Sequence, residues 1–333
     1  MVQRNSPLLT GILVRTAACP LLRVGLVATL LAGCRLSAVA AELLAHDPSR
    51  IVVIGDRFHV FSTGRGGRSA SSTDLTNWVA GSAVFRQPPA WTTNAVPANK
   101  GDLWAPDVIE LEGRLLLYYS ISTWGRNTSA IGLATAPSVA AADQSLDWMD
   151  EGPVIQSSAN DDFNAIDPAP LLDAENRLWL TFGSFWSGIK LVELDRTTGR
   201  LLASGGPIYS LAVQDKIEAP YIHRHDDWYY LFVNWGQCCR GTNSTYNLRV
   251  GRSQSVTGPY LDRDGRDLRD RGGSLVLETH GRFIGPGHAG IITQADRDWL
   301  SFHFYDGSRN GKGTLAVRRL RWDAAGWPVV APE

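Results

Sequence analysis

The chain has 333 residues, with 32 Lys or Arg against 33 Asp or Glu, 44% hydrophobic and 9% aromatic residues, and a formal net charge of −1. That apolar content excludes a disordered or collagen-like polymer, and the balanced charge gives no electrostatic reason to expect a nucleic acid or a charge-held membrane surface as partner. Once a leader is subtracted, about 290 residues remain, enough for two ordinary domains or for one large all-β or α/β-barrel domain.

The N-terminus reads as an export signal. Arg4, Arg15 and Arg23 precede the first acidic residue, Glu42, and the stretch from Val24 to Gly33 is apolar and uncharged. At about ten residues it has roughly half the length a spanning helix needs, and no later run is longer, so no transmembrane span is expected. Two exits compete. Leu31 to Cys34 resembles a lipobox, which would make Cys34 a lipid-anchored first residue, whereas Ala38 to Ala40 offers small-x-small cleavage and plain secretion. Residues 1–40 are therefore assigned to export signal and linker, and residues 41–333 to a single domain, expected to act as a monomer in a secreted, periplasmic or outer-membrane-anchored form. Of the four cysteines, Cys19 belongs to the leader and Cys34 is either lipidated or removed, leaving Cys238 and Cys239. These can pair only with each other, as a vicinal disulfide fixing a loop in an oxidising compartment, or else stay as two packed thiols.

Beyond the leader, five segments share one pattern: a polar entry, an apolar strand, a tight polar turn and an aromatic-rich strand. In chain order they are His46 to Ile54 with Phe58 to Phe61, Ala105 to Leu111 with Leu115 to Tyr119, Ile166 to Leu172 with Leu178 to Phe182, Glu218 to Ile222 with Trp228 to Phe232, and Gly287 to Ile292 with Trp299 to Phe304. The pairs Gly55-Asp56, Glu112-Gly113, Glu175-Asn176, Asp226-Asp227 and Asp296-Arg297 supply hairpin-turn chemistry. The anchors Asp47, Asp107, Asp167, Glu218 and His288 are spaced by 60, 60, 51 and 70 residues, too long for single hairpins. Further strand-like runs, such as Ser129 to Ala134, Gly188 to Leu194 and Tyr246 to Gly251, bring each unit to about four strands, and no sustained helical period appears. The reading is all-β, a five-bladed β-propeller, in preference to a pair of β-sandwiches.

In a propeller the first strand of every blade lines the central axis, so the five entries converge at one end of it. Four carboxylates and an imidazole meet there in a chain of balanced charge. Clustered carboxylates raise one another's pKa and are rarely assembled for stability alone. Hydrolysis of a glycosidic bond requires such a pair, one acid to protonate the departing oxygen and one carboxylate to activate water.

The segments His46 to Pro48, Leu103 to Asp107, Ser122 to Ala134, Asn164 to Pro168, Phe182 to Lys190, Ile217 to Pro220, Cys238 to Tyr246 and Gly285 to His288 together resemble glycoside hydrolase family 43, and within it the endo-1,5-α-L-arabinanases. The Phe-Trp-Ser-Gly and Cys-Cys-Arg-Gly pieces carry the finer likeness. The resemblance implies Asp47 as general base, Glu218 as general acid and Asp167 as the third carboxylate, which orients the acid and tunes its pKa. It also implies inversion at the anomeric carbon. Asp107 follows its proline instead of preceding it, and is read as a packing or hydrogen-bonding residue.

Sugars present C–H faces to aromatic rings. Trp104, Trp124 and Trp186 adjoin the catalytic units and match aromatic positions of the family's groove, with Asn164 and Ser184 as polar substrate contacts; Trp179, Trp228 and Trp299 lie inside strands and are read as core. Near His288 the resemblance implies a hydrated, structural calcium ion on the axis, although calcium ordinarily prefers oxygen ligands and the residues alone suggest a channel hydrogen bond. The expected substrate is arabinan, cut internally in an open groove, since no accessory domain follows the fifth unit. The alternatives are an exo-acting α-L-arabinofuranosidase or β-xylosidase on the same scaffold, and a non-catalytic glycan-binding propeller.

Overall fold

Each of the five sequence units folds as an antiparallel sheet in the computed structural model, which describes residues 42–138 and 146–330. The export-signal assignment and Cys34 lie outside the described residues. The first strands are β1 (Val52–Ile54), β2 (Arg57–Ser62), β3 (Gly64–Arg65), β4 (Arg68–Ser72) and β5 (Trp78–Ala80). Blade 1 has the order β1-β2-β4-β5, while β3 joins the edge of blade 2, which adds β6 (Asp102–Leu111), β7 (Arg114–Ile121), β8 (Ser129–Pro137) and β9 (Met149–Ser157). Blade 3 is β10 (Ala169–Leu172), β11 (Leu178–Phe182), β12 (Ile189–Leu194) and β13 (Tyr209–Ala212). Blade 4 is β14 (Ile217–His225), β15 (Trp228–Trp235), β16 (Asn247–Ser253) and β17 (Ser274–Leu277), and blade 5 is β18 (Phe283–Gln294), β19 (Arg297–Asp306), β20 (Lys312–Trp322) and β21 (Pro328–Val330). The fold is an all-β five-bladed propeller.

The hairpin turns explain why the first two strands of each blade pair in register. Glu112 and Gly113 both take left-handed backbone between β6 and β7, the requirement of a two-residue turn that matches strand twist. The fifth turn falls one residue earlier than the sequence reading placed it: Ala295 and Asp296 are the left-handed pair, and Arg297 already pairs with Gln294. Alanine carries no turn signal, which is why the position slipped.

Burial follows the blades. Five apolar clusters join neighbouring blades; one packs Leu116, Tyr118 and Leu133 of blade 2 on Leu178, Leu180 and Phe182 of blade 3, and another closes the ring with Ile51 and Val60 of blade 1 on Ile292 and Leu315 of blade 5. The ring closure is also hydrogen-bonded, Ala45 N–H to the Gly313 carbonyl (3.1 Å) and Leu315 N–H to the Leu43 carbonyl (2.9 Å).

At the entry of the five inner strands stand Asp47, Ala105, Asp167, Ala219 and His288, all with left-handed φ, at 47°, 41°, 57°, 54° and 63° respectively. Each donates its N–H to a side chain of the preceding blade: Asp47 to His303 Nδ1 (3.1 Å), Ala105 to Thr63 Oγ1 (2.8 Å), Asp167 to Ser120 Oγ (3.0 Å), Ala219 to Asp167 Oδ2 (3.1 Å) and His288 to Asn234 Oδ1 (2.9 Å). The structural equivalents in blades 2 and 4 are thus Ala105 and Ala219, so Asp107 and Glu218 sit two residues after and one before the kink.

Asp107 is buried and holds Arg50, accepting from its backbone N–H (2.8 Å), Nε (3.0 Å) and Nη2 (2.6 Å), and Arg50 also donates to the Pro170 carbonyl. It therefore ties blade 1 to blades 2 and 3. Asp107→Ala would leave a buried guanidinium unpaired, for an expected loss of about 3–5 kcal/mol in urea unfolding; a loss below about 1 kcal/mol would contradict this structural role.

Candidate active site

Asp47, Asp167 and Glu218 line one cleft of about 360 Å³ together with His46, Thr63, Trp104, Trp124, Asn164, Ser184, Trp186, Cys238, Cys239 and Tyr246. Blades 1, 3 and 4 thus bring the three carboxylates together, and every other expected residue except His288 shares the cleft wall.

Asp47 is surrounded by nitrogen. His46 Nδ1 lies 2.8 Å from Oδ2, which also accepts from the Thr63 hydroxyl (2.7 Å), and Nδ1 of both His288 and His303 lies 3.7 Å from Oδ1. Burial alone would raise the Asp47 pKa, but the His46 imidazole first, with His288 and His303, outweighs it and holds the carboxyl well below the usual carboxylate range. His46 is itself positioned from behind: Nε2 meets the Tyr305 hydroxyl (2.7 Å), which accepts the backbone N–H of Cys239 (2.6 Å). The sulfurs of Cys238 and Cys239 are bonded to each other, and that vicinal loop stands beside the Asp47 side of the cleft.

The other two carboxylates are pushed the opposite way. Burial raises Glu218 first and the Asp47 charge adds to it, against hydroxyls donated by Tyr246 to Oε1 (2.7 Å) and by Ser184 to Oε2 (2.8 Å). Asp167 is raised well above its ordinary value by burial, then by Glu218 and Asp47, against one N–H from Ala219. Burial thus contributes more to the upward shift of Glu218 than the neighbouring Asp167 charge on which the sequence argument relied.

Trp124 is 71% and Trp186 43% exposed, and the rings of Trp104 and Trp124 lie 5.3 Å apart. Phe185 and Trp186 adopt left-handed backbone, which costs roughly 1–3 kcal/mol each and persists only where surroundings dictate it. The loop is fixed by Phe185 N–H to the Ile217 carbonyl (2.7 Å), Ser187 N–H to Asp162 (2.8 Å) and Gly188 N–H to Phe185 (2.7 Å). Asn164 and Ser184 face the cleft already engaged, Asn164 Oδ1 accepting from Ser129 and Ser184 donating to Glu218. Thr63, Tyr246, His303 and Tyr305 were not singled out from sequence. Each sits on or beside a second or third strand, where alternation reads as ordinary core.

His46, Asp47 and His303 offer ligand atoms within 4.8 Å of one another and could hold a metal. For calcium near His288 the protein supplies one imidazole and the Asp47 carboxylate, since both Asp107 oxygens are taken by Arg50. His303 Nδ1 accepts the Asp47 N–H, so in the neutral ring Nε2 carries the proton, and that buried atom has no hydrogen-bond partner. This donor set suits an ion that keeps most of its own water and is poor for a dehydrated one.

A sequence model of glycosyl hydrolases family 43 matches residues 39–328. The chain is 41% identical over 304 residues to the extracellular exo-alpha-(1->5)-L-arabinofuranosidase ArbA of Cellvibrio japonicus, covering 87% of both. It is 39% identical over 297 residues to the extracellular endo-alpha-(1->5)-L-arabinanase 1 of Bacillus subtilis, covering 87% of this chain and 88% of that one. The structure of a Cellvibrio cellulosa alpha-L-arabinanase complexed with arabinohexaose superposes with a TM-score of 0.83 at 40% identity, over 87% of this chain and 96% of the other.

A carboxyl whose native pKa lies above its unfolded value contributes stability below that unfolded value and loses it as pH rises through the native one. Asp167→Asn keeps an acceptor for the Ala219 N–H while removing one of the crowded charges. The variant is therefore expected to melt higher than wild type near neutral pH, by about 2–4 °C per kcal/mol relieved, with the gain vanishing at about pH 4. Scanning calorimetry across that range checks the sign; a variant less stable at neutral pH would show that Asp167 is structurally favourable as an anion.

Proposed function

Because the chain belongs to glycosyl hydrolase family 43, we propose that it hydrolyses the α-1,5-L-arabinofuranosidic bonds of arabinan, at internal positions and with inversion. Asp47 is the general base, held ionised by His46 and Thr63 so that it can take a proton from water. Glu218 is the general acid, its proton favoured by burial and directed by Tyr246 and Ser184. Asp167 sets the position of the acid through the Ala219 N–H, the residue that follows Glu218. In an inverting reaction Glu218 protonates the leaving oxygen while Asp47 deprotonates the water that attacks from the other face, so each carboxyl ends the step in the opposite protonation state. A hydrated calcium ion held by His288 would add positive charge beside Asp47 and help keep it ionised.

The observation that carries the reading is the opposite tuning of Asp47 and Glu218 within one aromatic-walled cleft. Internal cleavage is supported by a continuation of the cleft, a cavity of about 380 Å³ that shares Trp124, Phe185, Glu218, Cys238 and Cys239 with it and adds Gln237 and Arg240. Room beyond the acid suits a chain longer than one sugar. The likeness to an exo-acting relative makes single-end release the competing outcome. Extracellular relatives agree with export.

Linear arabinan digested by the full chain is expected to give a ladder of oligosaccharides early, with β-arabinofuranose at the new reducing ends seen by proton NMR in the first minutes. One short product from the start would make the enzyme exo-acting, and an α-configured product would exclude the base role of Asp47. Glu218→Gln is expected to lose about 10³-fold or more in kcat while still binding arabino-oligosaccharide; retained turnover would remove Glu218 from the mechanism. Trp124→Ala and Trp186→Ala are expected to raise KM several-fold, at about 0.5–1.5 kcal/mol per stacking contact, with smaller effects on kcat.

A further inference from the structure

The inner strand that carries Glu218 near its start ends in His223-Arg224-His225, seven residues further on and so roughly 20 Å from the cleft at the ordinary strand rise. Alternation puts both imidazoles on the same side of β14. There they meet Asp298, near the start of β19, and Trp322, the last residue of β20. His223 Nε2 lies 3.9 Å and His225 Nδ1 3.7 Å from Asp298 Oδ2, and the three ligand atoms fall within 4.8 Å of one another. These separations are too long for hydrogen bonds, which need about 3 Å. They are close to the roughly 3.4 Å edge of a tetrahedron with metal–ligand bonds of about 2.0–2.1 Å.

The carboxylate is aimed by its surroundings. Trp322 Nε1–H donates to Oδ2 (2.8 Å) and the Thr293 hydroxyl to Oδ1 (2.6 Å), which leaves Oδ2 a second lone pair. The Trp322 ring stacks on His225 at 3.9 Å and 9°, fixing the imidazole plane. Behind it, His225 Nε2 faces the Asp226 carboxylate at 3.6 Å, the outer partner that metal-bound histidines commonly have. Arg50, the cation that acts on His223, is already neutralised by Asp107 at 2.6 Å. Asp298 is buried, whereas the histidine side chains are 13% and 28% exposed, so water can reach a fourth position.

We propose that His223, His225 and Asp298 bind one divalent transition-metal ion of the zinc class, with water as fourth ligand, clamping the far end of blade 4 to the hairpin and third strand of blade 5. Two imidazoles and one carboxylate select such an ion over calcium or magnesium, which take oxygen. The site lies apart from the sugar cleft and serves the seam between blades 4 and 5, not hydrolysis.

Chelator-stripped full-length protein titrated with zinc chloride is expected to bind one equivalent, with a melting temperature that rises with occupancy and hydrolysis of arabinan unchanged. His225→Gln, at a part-exposed position, should melt like metal-free wild type and bind zinc about 100-fold more weakly or worse. If that variant takes up its first equivalent as tightly as wild type, the proposal is wrong. It is equally wrong if the first equivalent inhibits hydrolysis in step with binding, which would place the ion at His46, Asp47 and His303. Cobalt(II) gives a reading that needs no variant: strong visible bands of a four-coordinate site are expected, and a weak six-coordinate spectrum overturns the assignment.

Discussion

At the mouth of the axis, five left-handed residues each hand a backbone N–H to a side chain of the neighbouring blade, and the placement of the three cleft carboxylates depends on those bonds. Left-handed backbone ahead of proline is costly for a residue with a Cβ, and a buried N–H without an acceptor would cost more. His303, Thr63, Ser120 and Asn234 each satisfy one such donor across a blade boundary. The fifth acceptor breaks the pattern. Gly183 donates to the Ile166 carbonyl as Thr63 does to that of His46, so it is the blade 3 counterpart of Thr63, but it has no side chain to offer. With φ at 128° and Gly188 O only 2.5 Å from where a Cβ would stand, no other residue fits there. Asp167 fills the gap by accepting the Ala219 N–H itself. A carboxylate proposed to serve the reaction is therefore also part of the joint between blades 3 and 4, and the charge at the cleft and the register of blade 4 are one problem.

Much of this was legible from residue order. The alternation of apolar strands and polar turns at spacings near 60 residues specifies the blade, and its recurrence specifies five of them. The carboxylates were legible because Asp-Pro and Glu-Ala-Pro stand at the same phase of the repeat. What the phase did not distinguish is which residue of each entry bends. Proline follows Asp47, Ala105, Asp167 and Ala219 alike; the place of Asp107 after its proline marks it as a packing or hydrogen-bonding residue, and the bend adds that its partner is Arg50 while Glu218, one residue before its own bend, reaches the cleft.

The partners of the carboxylates were hidden for a different reason. His303, Tyr305 and Tyr246 lie in strand sequence whose alternation is satisfied by any large residue. Their meaning comes from other segments, 28 residues away for Tyr246 and Glu218 and more than 200 for the other two, such as the 259 residues between His46 and Tyr305. The same holds for His223, His225 and Asp298, which are unremarkable in β14 and β19 until two blades are set side by side. Local pattern reports which face a side chain takes; it does not report what waits on the opposite blade.

Opposite tuning of buried carboxyls within one cleft follows from which blade supplies the neighbours. Burial raises Asp47, Asp167 and Glu218 alike, so burial cannot separate a base from an acid. Blade 5 and the entry of blade 1 supply imidazoles, His303, His288 and His46, and a carboxyl facing them keeps its charge. Blades 3 and 4 supply each other's carboxyls; the hydroxyls of Ser184 and Tyr246 favour the anion but do not outweigh burial, and there a proton is the favoured counter-charge. The different tuning of the carboxyls thus has a local part, His46 beside Asp47, and a part that comes from the neighbouring blades. His46 comes with Asp47 on the same segment, and the ring closure that joins blade 5 to blade 1 is what brings His288 and His303 within reach of it as well.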